Sequence, residues 1–171
     1  MGGIGKSALA VTVMHRVATQ FEVVIWHSLR DAPRCSTLLE ECLQVLAPQR
    51  IQEMPRTLEG LLQVLMEQVR TRRVLLVLDN LETLLEEGTG TGRMRSGFKG
   101  YARLLRRMGE TRHQSCLLLT SREKPADLVS LEGSRSPVRA LRLAGLDEGA
   151  GAHLLAEKDV VTSPQDLAHL V

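Results

Sequence analysis

The sequence contains few aromatic residues: one Trp, one Tyr and two Phe among 171 residues. So few rings offer little surface on which nucleic acid bases could stack. The three cysteines are odd in number and form no C-x-x-C pair, which argues against a disulfide framework and against a zinc site. No apolar run approaches the roughly 18 residues that a membrane span requires. The composition therefore predicts a cytoplasmic globular domain without a membrane partner.

The chain also lacks a strong net charge, because 22 Lys and Arg residues are balanced by 20 Asp and Glu residues, for a net charge of +2. The electrostatics of the whole molecule therefore imply no partner. Residues 93–112 are a local exception, with seven basic residues and one acidic residue. This cluster is either a surface for nucleic acid or an acidic partner, or the solvated face opposite an apolar helical stripe that includes Tyr101 and Leu105. We favour the solvated face, so nucleic acid is not an expected partner.

Helical and strand patterns alternate regularly along the chain. Thr37 and Glu40 predict a capping box that starts a helix ended by Pro48. The apolar runs at 74–78 and 116–119 predict strands that are covered on both faces. Helices are predicted at 6–19, 37–47, 57–72, 83–87, 97–112, 147–158 and from residue 163, and strands at 21–26, 74–78, 116–120 and 138–143. This order predicts one α/β domain with a mostly parallel sheet.

The first residues predict a phosphate-binding loop that runs into a helix, with the sequence Gly2-Gly3-Ile4-Gly5-Lys6-Ser7-Ala8. Glycines let backbone N–H groups close around phosphates, a lysine ammonium binds the β and γ oxygens, and a serine hydroxyl can ligate Mg²⁺. In the full pattern G-x-x-x-x-G-K-[ST], the first glycine would stand just before Met1. The predicted sheet therefore lacks the strand before the loop. The alternative is a glycine-rich tail followed by an ordinary helix.

Two later positions could complete a phosphate site. Asp79 follows the apolar run 74–78, where an acid can hold Mg²⁺. Its alternative role is to cap the helix that follows. Arg122 comes just after the strand predicted at 116–120, and could reach a γ-phosphate from the carboxyl end of that strand. Its alternative role is a surface ion pair.

Four motifs together resemble the NB-ARC domain of bacterial STAND-class ATPases: Gly2-Gly3-Ile4-Gly5-Lys6-Ser7, Leu75-Leu76-Val77-Leu78-Asp79-Asn80, Leu118-Leu119-Thr120-Ser121-Arg122-Glu123 and Leu141-Arg142-Leu143-Ala144-Gly145-Leu146. The resemblance implies a P-loop NTPase three-layer sandwich, with residues 1–171 as one partial NB-ARC domain. It also implies a switch in which ADP holds a closed form and ATP favours an open form that often forms homo-oligomers. Repeat or effector domains are appended in such proteins.

The same resemblance implies roles for individual residues. Lys6 and Ser7 would bind phosphate and Mg²⁺, Asp79 would be the Walker B acid, and Arg122 would sense the γ-phosphate. Many P-loop ATPases have a second acid beside the Walker B aspartate, but this chain has Asn80, with Glu82 two residues further on. An amide cannot accept a proton from water at neutral pH. We therefore expect ATP hydrolysis to be slow or absent.

The resemblance also implies that family members contact adenine through segments before the loop and beyond the helix predicted from residue 163. Neither segment is present in the sequence. The alternative function is therefore an interaction module that has the same fold but binds no nucleotide.

Overall fold

A computed structural model describes residues 5–87, 92–133, 135–145 and 149 of the chain. The chain divides into two units, one formed by Lys6–Ala140 and the other by Met1–Gly5 with Leu141–Val171. All the helices and strands named below belong to the first unit. None of the helices in the described ranges has both the length and the apolar character needed to cross a membrane.

The first unit alternates helices and strands, as the sequence predicts. Its α-helices are α1 (Lys6–Val17), α2 (Cys35–Leu46), α3 (Leu58–Thr71), α4 (Lys99–Glu110) and the short α5 (Ala126–Val129). Its strands are β1 (Val23–Ser28), β2 (Val74–Asp79) and β3 (Cys116–Leu119). Short 3-10 helices cover Ala18–Gln20, Pro48–Glu53, Leu81–Leu84 and Ser96–Phe98.

The three strands form a parallel sheet in the order β1-β2-β3. Val23 is paired with Val74, and Leu75 with Cys116. All six residues of the central strand β2 are buried, which confirms the strand predicted from its apolar run. Because parallel strands point the same way, their carboxyl ends lie along one edge of the sheet. That edge carries Asp79 and the residues that follow β3.

The core lies on both faces of β2. Side chains alternate between the two faces of a strand, and Leu76 and Leu78 join a cluster that also contains buried residues of α2, α3 and α4. Val77 is fully buried outside that cluster. Helix α1 packs against β2, and Ala10 is its buried residue. The molecule thus has the mixed α/β architecture with helices around a parallel sheet that the sequence predicts.

The predicted starts of two helices are wrong, because the backbone conformation just before each helix sets its first residue. Helix α2 begins at Cys35, after an extended Arg34, so Thr37 lies inside the first turn and forms no capping box. The helix predicted at 83–87 is instead the 3-10 helix Leu81–Leu84, which begins directly after Asn80. Asn80 has a φ of +63°, a left-handed conformation that asparagine tolerates better than most residues and that turns the chain sharply.

Strand β3 is less covered than predicted. Cys116 is exposed and the following three leucines are half-buried, because β3 pairs with β2 on one side and is the last strand of the described sheet. The prediction that this strand is covered on both faces is therefore wrong. It also ends at Leu119, one residue earlier than predicted.

The strand predicted at 138–143 does not form. Val138 makes a single parallel bridge to Glu132, and the side chain of Leu141 is 79% exposed. Alternation of apolar and polar residues indicates a strand only where a neighbouring edge is available for pairing. The helix predicted at 147–158 falls outside the described residues except for Gly149, and the helix predicted from residue 163 falls outside them entirely.

Candidate functional site

The start of α1 provides the first part of the candidate site. Helix α1 begins at Lys6 and has no acidic residue in its first turn. The preceding Gly5 has a φ of +82°, which a residue with a Cβ rarely adopts. The first amides of a helix have no partner within the helix, and they give this end a partial positive charge. Ala8 is exposed, and the predicted loop residues Gly2, Gly3 and Ile4 lie outside the described residues.

Asp79, the last residue of β2, provides the second part. The residue is buried, with 6% of its surface exposed. Its Oδ1 accepts hydrogen bonds from Ser7 Oγ at 2.7 Å and from Thr120 Oγ1 at 2.5 Å. Its Oδ2 accepts one from Asn80 Nδ2 at 3.2 Å. Asp79 does not cap the following helix, because Asn80 occupies that position and forms no side-chain cap.

The structure therefore brings together two of the predicted residues, Ser7 and Asp79, which are 72 residues apart in the sequence. The half-buried Lys6 precedes Ser7 and forms no salt bridge with any acid in the described part of the chain. The first turn of α1 and the end of β2 thus meet in one polar cluster.

Thr120 belongs to this cluster and was not identified as a site residue from the sequence. Its hydroxyl donates to Asp79 and accepts from the backbone N–H of Asn80 at 3.1 Å, and its carbonyl accepts from the N–H of Leu81 at 2.9 Å. Thr120 follows β3, which is paired with β2. The signal in the sequence is a hydroxyl residue directly after the neighbouring strand. Whether that hydroxyl reaches Asp79, however, depends on the register in which β2 and β3 pair.

We predict that Thr120→Val destabilises the protein by about 1–3 kcal/mol, because it leaves the N–H of Asn80 without its buried acceptor and removes a donor to Asp79. Urea unfolding followed by circular dichroism measures this change. Thr71→Val is the matched control, because the Thr71 hydroxyl bonds only exposed carbonyls of its own helix. Equal losses for the two variants would contradict a structural role of Thr120 in the cluster.

Arg122 forms an ion pair with Glu82 rather than with Asp79. Its Nε lies 3.2 Å from Glu82 Oε1, and its side chain is 58% exposed, whereas that of Glu82 is 18% exposed. The other carboxylate oxygen of Glu82, Oε2, is buried and has no hydrogen-bond partner among the residues that the structure describes. The ion pair that the sequence offered as the alternative for Arg122 is therefore present. Its partner is Glu82, the acid two residues beyond Asn80.

The oxygen atoms of Ser7 and Asp79 suit Mg²⁺, which prefers oxygen ligands and usually retains several waters. In the described ranges, no three His, Cys, Asp or Glu side chains come close enough to hold a metal ion. Ser7 and Asp79 would therefore supply only part of the coordination of a Mg²⁺ ion. Water and phosphate oxygens would have to supply the rest.

The arginine-rich segment is partly neutralised by acids. Arg103 and Arg107 both contact Glu59, and Arg106 lies 3.7 Å from Asp127. On the opposite side of α4, Tyr101 is fully buried and its hydroxyl donates to the carbonyl of Pro33 at 3.0 Å. These contacts fit the interpretation of α4 as an amphipathic helix with a solvated basic face.

The buried thiols lack the chemistry of a nucleophile. Burial raises the pKa of Cys35 and of Cys42 to about 12, so both are protonated at neutral pH. The thiolate is the reactive form of cysteine. These two residues therefore act as small core residues.

Comparison with known proteins agrees with the fold. The model of the NB-ARC domain family matches residues 1–88, which include both Ser7 and Asp79. An uncharacterized WD repeat-containing protein of Nostoc sp. is 40% identical over 166 residues, covering 92% of this chain. The chain spans 13% of the length of that protein. With its parallel sheet and flanking helices, the chain belongs to the NB-ARC family of nucleotide-binding P-loop domains.

Proposed function

We propose that the chain is an ATP- and ADP-binding switch domain of a STAND-class signalling ATPase, and that residues 1–171 form one partial NB-ARC domain. The observation that carries the proposal is the hydrogen bond of 2.7 Å between Ser7 Oγ and Asp79 Oδ1. It joins the start of α1 to the end of β2, which is where the phosphate and the metal ion of a P-loop protein would be bound.

In this proposal each residue of the site has a separate role. The backbone of Gly2, Gly3, Ile4, Gly5 and Ala8 surrounds the phosphates together with the Lys6 ammonium. Ser7 and Asp79 hold Mg²⁺, directly or through water. The bound Mg²⁺ would neutralise charge on the phosphates. Arg122 contacts the γ-phosphate, and so distinguishes ATP from ADP.

We further propose that hydrolysis is slow or absent. The Asn80 amide donates to Asp79 at 3.2 Å, so it supports the carboxylate and is no proton acceptor. A long-lived ATP form suits a switch. By analogy with the WD repeat-containing relative, this domain would operate within a longer protein with appended repeats. The family resemblance further suggests appended effector domains and homo-oligomers in the ATP-bound form, and we include both in the proposal.

The test is the Mg²⁺ dependence of binding, measured by calorimetry with ATP and with ADP. We expect both to bind, and Mg²⁺ to tighten ATP binding by about tenfold, the effect of one charge-assisted contact. Asp79→Asn should remove most of that enhancement, because the amide oxygen can still accept from Ser7 and Thr120 but carries no charge.

Asp127→Asn is the matched control, since it removes the same charge from another acid whose side chain is mostly buried and which pairs with Arg106 on α4. It should leave the Mg²⁺ effect unchanged. A folded chain that binds neither nucleotide would contradict the proposal. That result would favour the alternative function, an interaction module of the same fold.

A further inference from the structure

Beyond the ends of β2 and β3, the chain continues as two adjacent segments. The N–H of Leu81 donates to the carbonyl of Thr120 at 2.9 Å, and the N–H of Asn80 bonds to the hydroxyl of the same residue. Glu82 follows Leu81 directly, and Arg122 lies two residues after Thr120. The ion pair between Glu82 and Arg122 thus adds a side-chain contact between the segment that follows Asp79 and the segment that follows β3.

The side chains of Glu82 and Arg122 differ in how far they are buried. Glu82 belongs to the 3-10 helix Leu81–Leu84, whose buried Leu81 and Leu84 anchor its backbone, and only 18% of its side chain is exposed. The guanidinium of Arg122 contacts Glu82 through Nε and is largely exposed. An arginine has five N–H donors. The exposed Arg122 side chain can therefore rotate toward another anion more easily than the more buried Glu82 side chain can follow it.

We propose that Glu82 competes with the γ-phosphate of a bound nucleoside triphosphate for Arg122, and so sets the preference of the site between ATP and ADP. This inference rests on the proposed function. A γ-phosphate is a strong bidentate partner for arginine. When the γ-phosphate binds Arg122, the mostly buried Glu82 carboxylate loses its cation, which is unfavourable. ADP has no γ-phosphate and leaves the pair intact, so Glu82 is a positioning residue that weakens the binding of ATP alone.

The experiment measures Kd for Mg·ATP and for Mg·ADP with the protein and with Glu82→Gln. Glutamine has the same shape and no charge. We expect ATP to bind about three- to fivefold more tightly to the variant, the range for a partly exposed ion pair, with ADP binding unchanged. In an Arg122→Gln background, the effect of Glu82→Gln on ATP should disappear.

Glu132→Gln is the matched control, because Glu132 is a similarly buried acid that pairs with Lys124. It should leave the ratio of the two Kd values unchanged. If Glu82→Gln does not fold, Glu82→Asp is the second variant. It keeps the negative charge but moves it away from Arg122 by the length of one methylene, so it should also tighten ATP binding.

Each outcome is decisive. A gain for ATP that requires Arg122 supports the inference. Binding of both nucleotides with an unchanged ratio, or with equal changes for ATP and ADP, overturns the inference and leaves the proposed function standing. A folded protein that binds neither nucleotide overturns the proposed function, and the inference with it.

Discussion

Lys6→Ala is expected to weaken the binding of both ATP and ADP by about tenfold to a hundredfold, the effect of losing a hydrogen bond from a charged group to phosphate. Lys6 is half-buried at the start of α1, next to the Ser7 hydroxyl that contacts Asp79. Because it forms no salt bridge with a described acid, its removal should cost little stability. Calorimetry measures the affinity, and thermal unfolding checks the fold.

Arg16→Ala is the control for this prediction. Arg16 is an exposed cation in the last turn of the same helix. This substitution removes the same charge as Lys6→Ala, but at the opposite end of α1, so nucleotide binding should be unaffected. If both variants weakened binding equally, net charge would explain the effect, and Lys6 would have no specific role.

Leu76→Ala is expected to lower the free energy of unfolding by about 2–5 kcal/mol, because it removes a buried side chain and leaves a cavity. Leu76 lies in the middle of β2, is 2% exposed and belongs to the main core cluster. It is paired with Ile25 on one side and with Leu117 on the other. Chemical denaturation monitored by circular dichroism gives the change.

Leu141→Ala is the corresponding control, since Leu141 is 79% exposed. It should change stability by less than about 0.5 kcal/mol. A small effect of Leu76→Ala would contradict the position of β2 at the centre of the sheet.

The sequence was most informative where one local pattern dominated. Six consecutive residues from Val74 to Asp79 are buried, and the apolar run of five that precedes Asp79 has few alternatives to a central strand. Helix α3 begins where a good N-cap residue stands, since Thr57 Oγ1 accepts from the N–H of Gly60 at 3.2 Å. The nature and order of these elements were therefore predictable.

The remaining features depend on contacts between distant segments. The alternating residues at 138–143 have the pattern of a strand, but Val138 alone forms a bridge. The position of Ser7 opposite Asp79 was expected from the family resemblance, whereas the contribution of Thr120 depends on the pairing of β2 with β3. The partner of Arg122 was likewise unpredictable, because a surface arginine has many acids within reach of its long side chain.

The parallel sheet has a consequence for the order of folding. Parallel neighbours cannot be joined by a tight turn, so β1 and β2 are separated by α2 and α3, and β2 and β3 by α4. Each pairing must close a long loop before its contacts compensate for the lost chain entropy. We expect the helices to form early. The contacts of Asp79 with residues 72 and 41 positions away would then be established late, so the site would assemble only when the sheet is complete.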